Sequence, residues 1–337
     1  MDPSWWAVAI AGLFVGFVVG LTGMGGGALM TPMMILLFGI QPLAAVSSDL
    51  VASMIMKPVG GAVHLRRGTV NKHLVKWLVI GSVPSAFLGV LILRWLGGGE
   101  RTQSVVKASL GVALLFAATA MVAKALLDLR KEQRRRAAAG AGELVDFPVE
   151  GITVKRLPTL VVGVLGGLVV GMTSVGSGSL MIVALLLLYP TIRAGQLVGT
   201  DLVQAVPLVA SASLGHLLFG DFQLDLTASL LIGALPGVYL GARVSSSAPG
   251  GLVRRALVVV LLASGLKLLD AGVGTVVLVL AAVALAGPLL WATIYRSAHP
   301  DGASAANAWR LVRAAITGSF PRRAEPGAVN ETERAEP

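Results

Sequence analysis

Asp49, Lys57, His64, Asp201, Gln204 and His216 stand within stretches that are otherwise almost wholly apolar. A carboxylate inside a membrane segment is costly and marks a functional site by default. Asp49 lies roughly 10 Å into the 42–65 segment at about 1.5 Å per residue. Asp49 and Asp201, as a protonatable pair, could couple transport to a proton gradient or gate a substrate. The competing reading is that Ser48-Asp49 and Thr200-Asp201 cap helices that follow an irregular lead-in. Lys57 precedes His64 by seven residues, so both lie on nearly the same helical face. It could offset Asp49, attract an anion or snorkel to an interface; Pro58 and its mid-segment position count against snorkelling. Gln204, one turn beyond Asp201, could hydrogen-bond a substrate or another helix. His64 and His216 sit near segment ends, where an interfacial role competes with a functional one. Lys267 and Asp270, three apart near a helix end, read as a surface pair.

Two small-residue breaks could supply the other half of the chemistry. TGMGGGALMTP (residues 22–32) and TSVGSGSLM (residues 173–181) each follow an apolar run and would interrupt any helix. A helix restarting at Gly26 or Gly27, or at Ser177 or Gly178, presents free N–H groups and a positive dipole end. Missing side chains at Gly23, Gly25, Gly176 and Gly178 let a ligand approach the backbone closely. Thr22, Thr173, Ser174, Ser177 and Ser179 add hydroxyl donors. Such a site suits a small anion. The plainer alternative is a pair of tight helix–helix turns with glycines for close packing. A nucleotide loop is excluded, because no strand precedes Gly23 and no Lys-Ser/Thr follows. Nor is there a Gly-x-Ser-x-Gly elbow or a His-Glu-x-x-His pair, so no enzyme is indicated.

The elements that must position these residues follow from composition. The 337-residue chain is 55% hydrophobic and 13% charged, too little charge for the surface of a soluble domain. Apolar segments at 5–21, 27–39, 42–65, 72–96, 102–127, 157–173, 179–189, 194–218, 224–246, 252–270 and 273–295 predict a polytopic helical membrane protein, since about 20 apolar residues cross a bilayer. There are no cysteines, which removes disulfides, thiolate metal sites and a cysteine nucleophile. No cofactor or metal is implied. The net charge of +10 lies in loops and reads as membrane orientation rather than nucleic-acid binding. Trp5, Trp6, Trp77, Trp95, Trp291 and Tyr295 fall near segment ends, as interfacial anchors do.

The chain is internally duplicated. GFVVGLTGMGGGALM (16–30) aligns with GLVVGMTSVGSGSLM (167–181), and beyond one inserted residue Asp49 falls on Asp201, His64 on His216, Gly81 on Gly233 and Pro84 on Pro236. Matching loops carry opposite charge bias: Arg66, Arg67, Lys72 and Lys76 follow His64, whereas Asp221 and Asp225 follow His216. That is the signature of an inverted repeat. The expected organisation is a first transmembrane repeat (1–127), a basic cytoplasmic linker (128–156) and a second repeat (157–270). An additional span (271–295) and a polar, mostly disordered cytoplasmic tail (296–337) follow, with 307–320 as a candidate interfacial helix. Each repeat would contain a broken or re-entrant Gly-rich hairpin. The charge count places the N-terminus outside and the C-terminus in the cytoplasm.

GLFVGFVVGLTGMGGGALMTPMMILLFGIQPLAAVSSDL, HLRRGTVN and LGARVSSSAPGGLVRRALVVVLLASGLKLL together resemble the sulfite exporter TauE/SafE family, also called the toluene-sulfonate uptake permease family. The resemblance covers roughly residues 8–270. It implies secondary transport of sulfite, organosulfonates or related small organic acids across a prokaryotic plasma membrane. The chain departs from the family pattern in carrying Asp, rather than a small or hydroxyl residue, at positions 49 and 201. It also has Ser174 and Ser177 in place of glycines. The sequence therefore points to a secondary transporter of a small anion, with an anion channel or a membrane scaffold as alternatives. The two breaks would bind substrate, and Asp49, Asp201, Lys57 and Gln204 would serve coupling or gating.

Overall fold

The structure is a computed structural model that describes residues 5–22, 26–66, 68–140, 153–190, 192, 194–244 and 250–283. Gly23, Gly25, Trp291, Tyr295, the tail and the 307–320 segment lie outside them. The chain divides into two units, the first of them compact and made of residues 1–280.

The first unit is built of helices α1 (Trp5–Thr22), α2 (Gly27–Phe38), α3 (Pro42–Arg66), α4 (Lys72–Trp95), α5 (Gly99–Gly140), α6 (Arg156–Thr173), α7 (Leu180–Leu188), α8 (Ala194–Phe219), α9 (Leu224–Val244) and α10 (Gly250–Leu268). A further apolar helix starts at Val273. No strand occurs among the described residues. Six helices are long and apolar enough to cross a membrane: α1, α4, α6, α8, α9 and the Gly99–Leu127 part of α5. This is a multi-pass helical membrane protein.

Helix α5 does not stop where its apolar segment does. It runs to Gly140, 42 residues or about 63 Å at about 1.5 Å per residue, roughly twice the hydrocarbon thickness. LRKEQRRRAAA is made of strong helix formers, so the first part of the expected linker prolongs the helix. Helices α2 and α7 are short, 12 and 9 residues, about 18 and 14 Å. Gly39, left-handed at φ 65°, ends α2 with its N–H on the Met34 carbonyl. Asn71 starts α4 by accepting from the N–H groups of His73 and Leu74.

Helix pairing follows the sequence duplication. The two most extensive interfaces are α1 with α9 and α4 with α6, each joining the first long helix of one half to the corresponding late helix of the other. Both are glycine seams. Gly233 and Gly237 of α9 lie against the backbone of Ala9 and Leu13 on α1, and Gly163 and Gly171 of α6 lie against Leu78 and Ala86 on α4, with no room for a Cβ. Small residues four apart let backbones approach closely, which is how helices associate where burial from water gives no drive. Helices α3 and α8, equivalent in the two halves, pack on each other between these pairs, as do α5 and α10.

The pairing is not equal in the two halves. Helix α8 lies along α4, fastened by Ser211 Oγ donating to the Val83 carbonyl at 2.7 Å and by Arg94 stacked over the Phe219 ring at 4.2 Å. Its counterpart, α3 against α9, is a much shorter contact.

Candidate functional site

Asp49 and Asp201 each lie two turns into their helices, since α3 begins at Pro42 and α8 at Ala194. Neither caps its own helix, which removes the capping reading. Both are buried, as are Lys57, Gln204, Ser174 and Ser177. Buried charges persist only when paired or hydrogen-bonded, and these are. Asp49 Oδ2 accepts from Thr31 Oγ1 of α2 at 2.8 Å and from Ser174 Oγ of the second break at 2.6 Å. Lys57 Nζ donates to Ser177 Oγ. Gln204 Nε2 donates to Asp201 Oδ1 at 3.2 Å, and the backbone N–H of Gly178 also reaches that carboxylate. The Lys57 ammonium lies within Coulombic reach of both carboxylates. The cluster carries one cation and two acids, so its net charge is −1 with both acids ionised and zero with one protonated.

The two breaks meet at this cluster. A Cβ built on Gly27 would sit 2.1 Å from the Ser174 carbonyl oxygen and 2.8 Å from its hydroxyl oxygen. Only glycine lets the start of α2 rest on the second break. Ser174 itself is left-handed at φ 61°, an uncommon conformation for a residue with a Cβ. Its N–H on the Val170 carbonyl at 2.8 Å and its hydroxyl on Asp49 hold it there. Gly176 and Gly178, at φ 128° and 107°, complete the turn, and α7 begins at Leu180, slightly later than the sequence suggests. Gly26, preceding α2, lies beside Asp49: a Cβ there would be 3.7 Å from Oδ1. That Oδ1 atom is buried and has no hydrogen-bond partner among the described residues.

Other expected donors are turned elsewhere. Thr22 Oγ1 bonds the Val18 carbonyl at 2.9 Å and Thr173 Oγ1 the Val169 carbonyl at 2.6 Å, each on its own helix. Gly176 faces the apolar side chains of Leu180 and Val170. His216 is fully buried rather than interfacial. Its Nε2–H donates to the Gly171 carbonyl at 2.8 Å, so its Nδ1 accepts from Ser47 Oγ at 2.8 Å, tying α8 to α6 and α3. His64, its equivalent, instead meets Thr69 Oγ1 at 2.9 Å in the following loop. Asp270 pairs with Lys107 of α5 at 2.6 Å, not with Lys267, because its left-handed φ of 57° turns it out of the α10 register.

Sequence reasoning missed Thr31 and Ser82. Thr31 completes the Asp49 cradle, and Ser82 Oγ approaches Gln204 Oε1 at 3.4 Å. The available signal was a hydroxyl within an apolar run, with no repeat partner to reinforce it: Ile182 and Ala234 occupy the matching positions. Among the described residues no group of three or more His, Asp or Glu side chains is arranged to hold a metal ion.

The family model for "Sulfite exporter TauE/SafE" matches residues 8–268. The chain is 39% identical over 264 residues to the "Probable membrane transporter protein YjnA" of Bacillus subtilis (strain 168), covering 78% of this chain and 99% of that protein. Two further Bacillus subtilis (strain 168) proteins are similar. One is the "Probable membrane transporter protein YunE", 35% identical over 29% of this chain and 34% of the relative. The other is the "Probable membrane transporter protein YdhB", 22% identical over 76% of this chain and 96% of the relative. No solved structure matches. The buried charged cluster and the paired small-residue breaks all lie within the matched span, and the chain belongs to the TauE/SafE sulfite exporter family of membrane transporters.

Proposed function

We propose that this protein is a secondary transporter of a small anion, namely sulfite, an organosulfonate or a related small organic acid, working across a prokaryotic plasma membrane. The observation that carries the reading is the meeting of both breaks at one buried cluster. Ser174, Ser177 and Gly178 of the second break and Gly26 and Gly27 of the first surround Asp49, Lys57 and Asp201. Irregular backbone at membrane depth is tolerated where it is buried in protein or lines a cavity, and paired breaks mark transporter binding sites. Lys57 and the amide hydrogens of the breaks attract the anion. Asp49, Asp201 and Gln204 gate or couple its movement.

The two halves are oppositely oriented, with the N-terminus outside and the C-terminus cytoplasmic. Alternating access consists of exchanging the close contact of α4 with α8 for an equivalent contact of α9 with α3. The unequal packing of those two pairs supports this, because a symmetric repeat caught in one of two states packs unequally.

The test is uptake into proteoliposomes of sulfite, methanesulfonate, acetate and sulfate, each with and without a pH gradient. At least one anion should enter and show counterflow; an anion channel conducts without counterflow. Failure of all four to enter refutes the reading.

A further inference from the structure

Asp49 and Asp201 occupy equivalent places in the two halves but not equivalent surroundings. Both hydroxyl donors to Asp49, from Thr31 and Ser174, fall on Oδ2. Oδ1 has none, although it is buried. Asp201 instead receives Gln204 Nε2 on Oδ1 and, on its carboxylate, the Gly178 N–H. An ionised carboxylate with one oxygen unpartnered and buried is unfavourable. A proton added to Asp49 goes to Oδ1, because Oδ2 is already engaged. Oδ1 in turn lies beside Gly26, at the start of α2, where the amide hydrogens and the helix dipole favour an anion.

We propose, resting on the transporter reading, that Asp49 alone carries the coupling proton, on Oδ1, and that the resulting O–H donates to the bound anion. The proton is taken from the aqueous side the site faces and returned to water on the other side, with no covalent change in the anion. Ionised, the same oxygen repels an anion at the start of α2. Protonated, it is a donor directed at one. Anion binding and proton binding therefore require each other, one proton for one anion. Asp201 stays ionised and balances Lys57.

The charged groups around Asp49 are few. Lys57 is on its own helix and Asp201 on α8, where His216 is already bonded through both ring nitrogens. Helix α2 and the second break contribute hydroxyls without charge. Lys124 of α5 acts on Asp201. The charged residues of α9, Asp225 and Arg243, are at its two ends.

Methanesulfonate is a suitable probe because it stays anionic across the working pH range, so any pH dependence belongs to the protein. Wild-type affinity should fall about tenfold per pH unit on the alkaline side, the limit for one linked proton. Proteoliposomes loaded with a pH-sensitive dye should record one proton per anion. Asp49→Asn keeps an oxygen for Thr31 and Ser174 and replaces the Oδ1–H with an N–H donor. It should bind methanesulfonate with a pH dependence of less than about twofold, keep counterflow, and lose both gradient-driven accumulation and proton movement. Asp201→Asn should retain the tenfold slope at reduced affinity. If the Asp49→Asn protein is not monodisperse, infrared difference spectra of the wild type decide the matter, because adding methanesulfonate must raise a protonated-carboxyl band. Gradient-driven accumulation by Asp49→Asn, loss of the pH slope in Asp201→Asn instead, or no such band on anion binding would each overturn the assignment. Methanesulfonate transport without proton movement would end this proposal and leave the transporter reading intact. No transport of any panel anion would end both.

Discussion

Gly27→Ala is the most direct perturbation of the junction between the breaks. The new Cβ would stand 2.1 Å from the Ser174 carbonyl oxygen, and ordinary contact starts at 3.4 Å, so the two backbones must separate by about 1.3 Å (3.4 − 2.1). The obstacle is backbone, which cannot swing aside as a flexible side chain can. Overpacking of this kind costs about 1–3 kcal/mol, against about 5–15 kcal/mol for a typical fold, so the protein should still fold. The site should not survive intact. Ser174 Oγ donates to Asp49 across 2.6 Å; carried along by the same 1.3 Å it would stand at about 3.9 Å, beyond hydrogen-bond range. Misplacement of about 1 Å in a positioned polar site costs on the order of a hundredfold in rate. Initial uptake rates in proteoliposomes should drop by about that factor while thermal unfolding shifts by only a few degrees. Gly195→Ala is the matched comparison, because its Cβ meets nothing within 4 Å and alanine favours the helix. It should transport as the wild type does. Gly27→Ala transport within twofold of wild type in a protein of unchanged stability would refute the claim that this junction positions the substrate. Equal loss in both variants would refute the specificity of the effect.

Three further outcomes follow from the same geometry. Ser174→Gly relieves the left-handed φ of 61°, worth about 1 kcal/mol, but removes a donor from buried Asp49, worth about 1.5–3 kcal/mol as a bond to a charged group; net destabilisation with reduced uptake is expected, and a raised melting temperature with normal uptake would contradict the role of the hydroxyl. Lys57→Met leaves two buried carboxylates without their cation, so uptake should be abolished and stability should fall by about 3–5 kcal/mol; Lys57→Met with normal anion affinity would show that the ammonium does not attract the substrate. Ser47→Ala deprives His216 Nδ1 of its donor, a loss of about 1–3 kcal/mol read by thermal unfolding, and Ser47→Ala with unchanged stability would show that this bond does not fasten α8 to α3.

How much of this was legible in the sequence depends on whether a residue's partner lies in the same local pattern. Helices α1, α4, α6, α8 and α9 follow from uninterrupted apolar length, which dictates a span wherever it occurs. The breaks follow from small residues that no helix favours, and their equivalence follows from the duplication. Asp49, Asp201 and Lys57 stand out because charge among apolar residues has no cheap explanation. The continuation of α5 past residue 127 was hidden by charge: Arg, Lys, Glu and Ala end a span, yet they form helix as well as any residues do. The Asp270 partner was hidden for another reason. A spacing of three on a helix suggests Lys267, but one left-handed residue at the helix end changes the direction of the side chain, and Lys107 lies 163 positions away. Thr31 and Ser82 were invisible because a hydroxyl in an apolar run is usually bonded to its own helix, as Thr22 and Thr173 are.

The duplication also accounts for what the site holds and why it is uneven. Subtracting the 151-residue offset of the breaks, Ser174 corresponds to Gly23 and Ser177 to Gly26; subtracting the 152-residue offset of the later helices, Val209 corresponds to Lys57. Ser174 and Ser177 thus belong to one half and the ammonium to the other, and the fold brings them together across the junction as Lys57 with Ser177 and Asp49 with Ser174. Had both halves kept the first pattern, the centre would hold two lysines and neither serine; had both kept the second, it would hold the serines and no lysine. Divergence leaves two acids and one cation, a count that balances only when one acid is protonated. A buried cluster in that condition favours binding a proton whenever an anion enters. On the proposal that Asp49 carries the coupling proton, exchanging Ser174 and Ser177 for glycine together should weaken the tie between proton and anion more than either change alone.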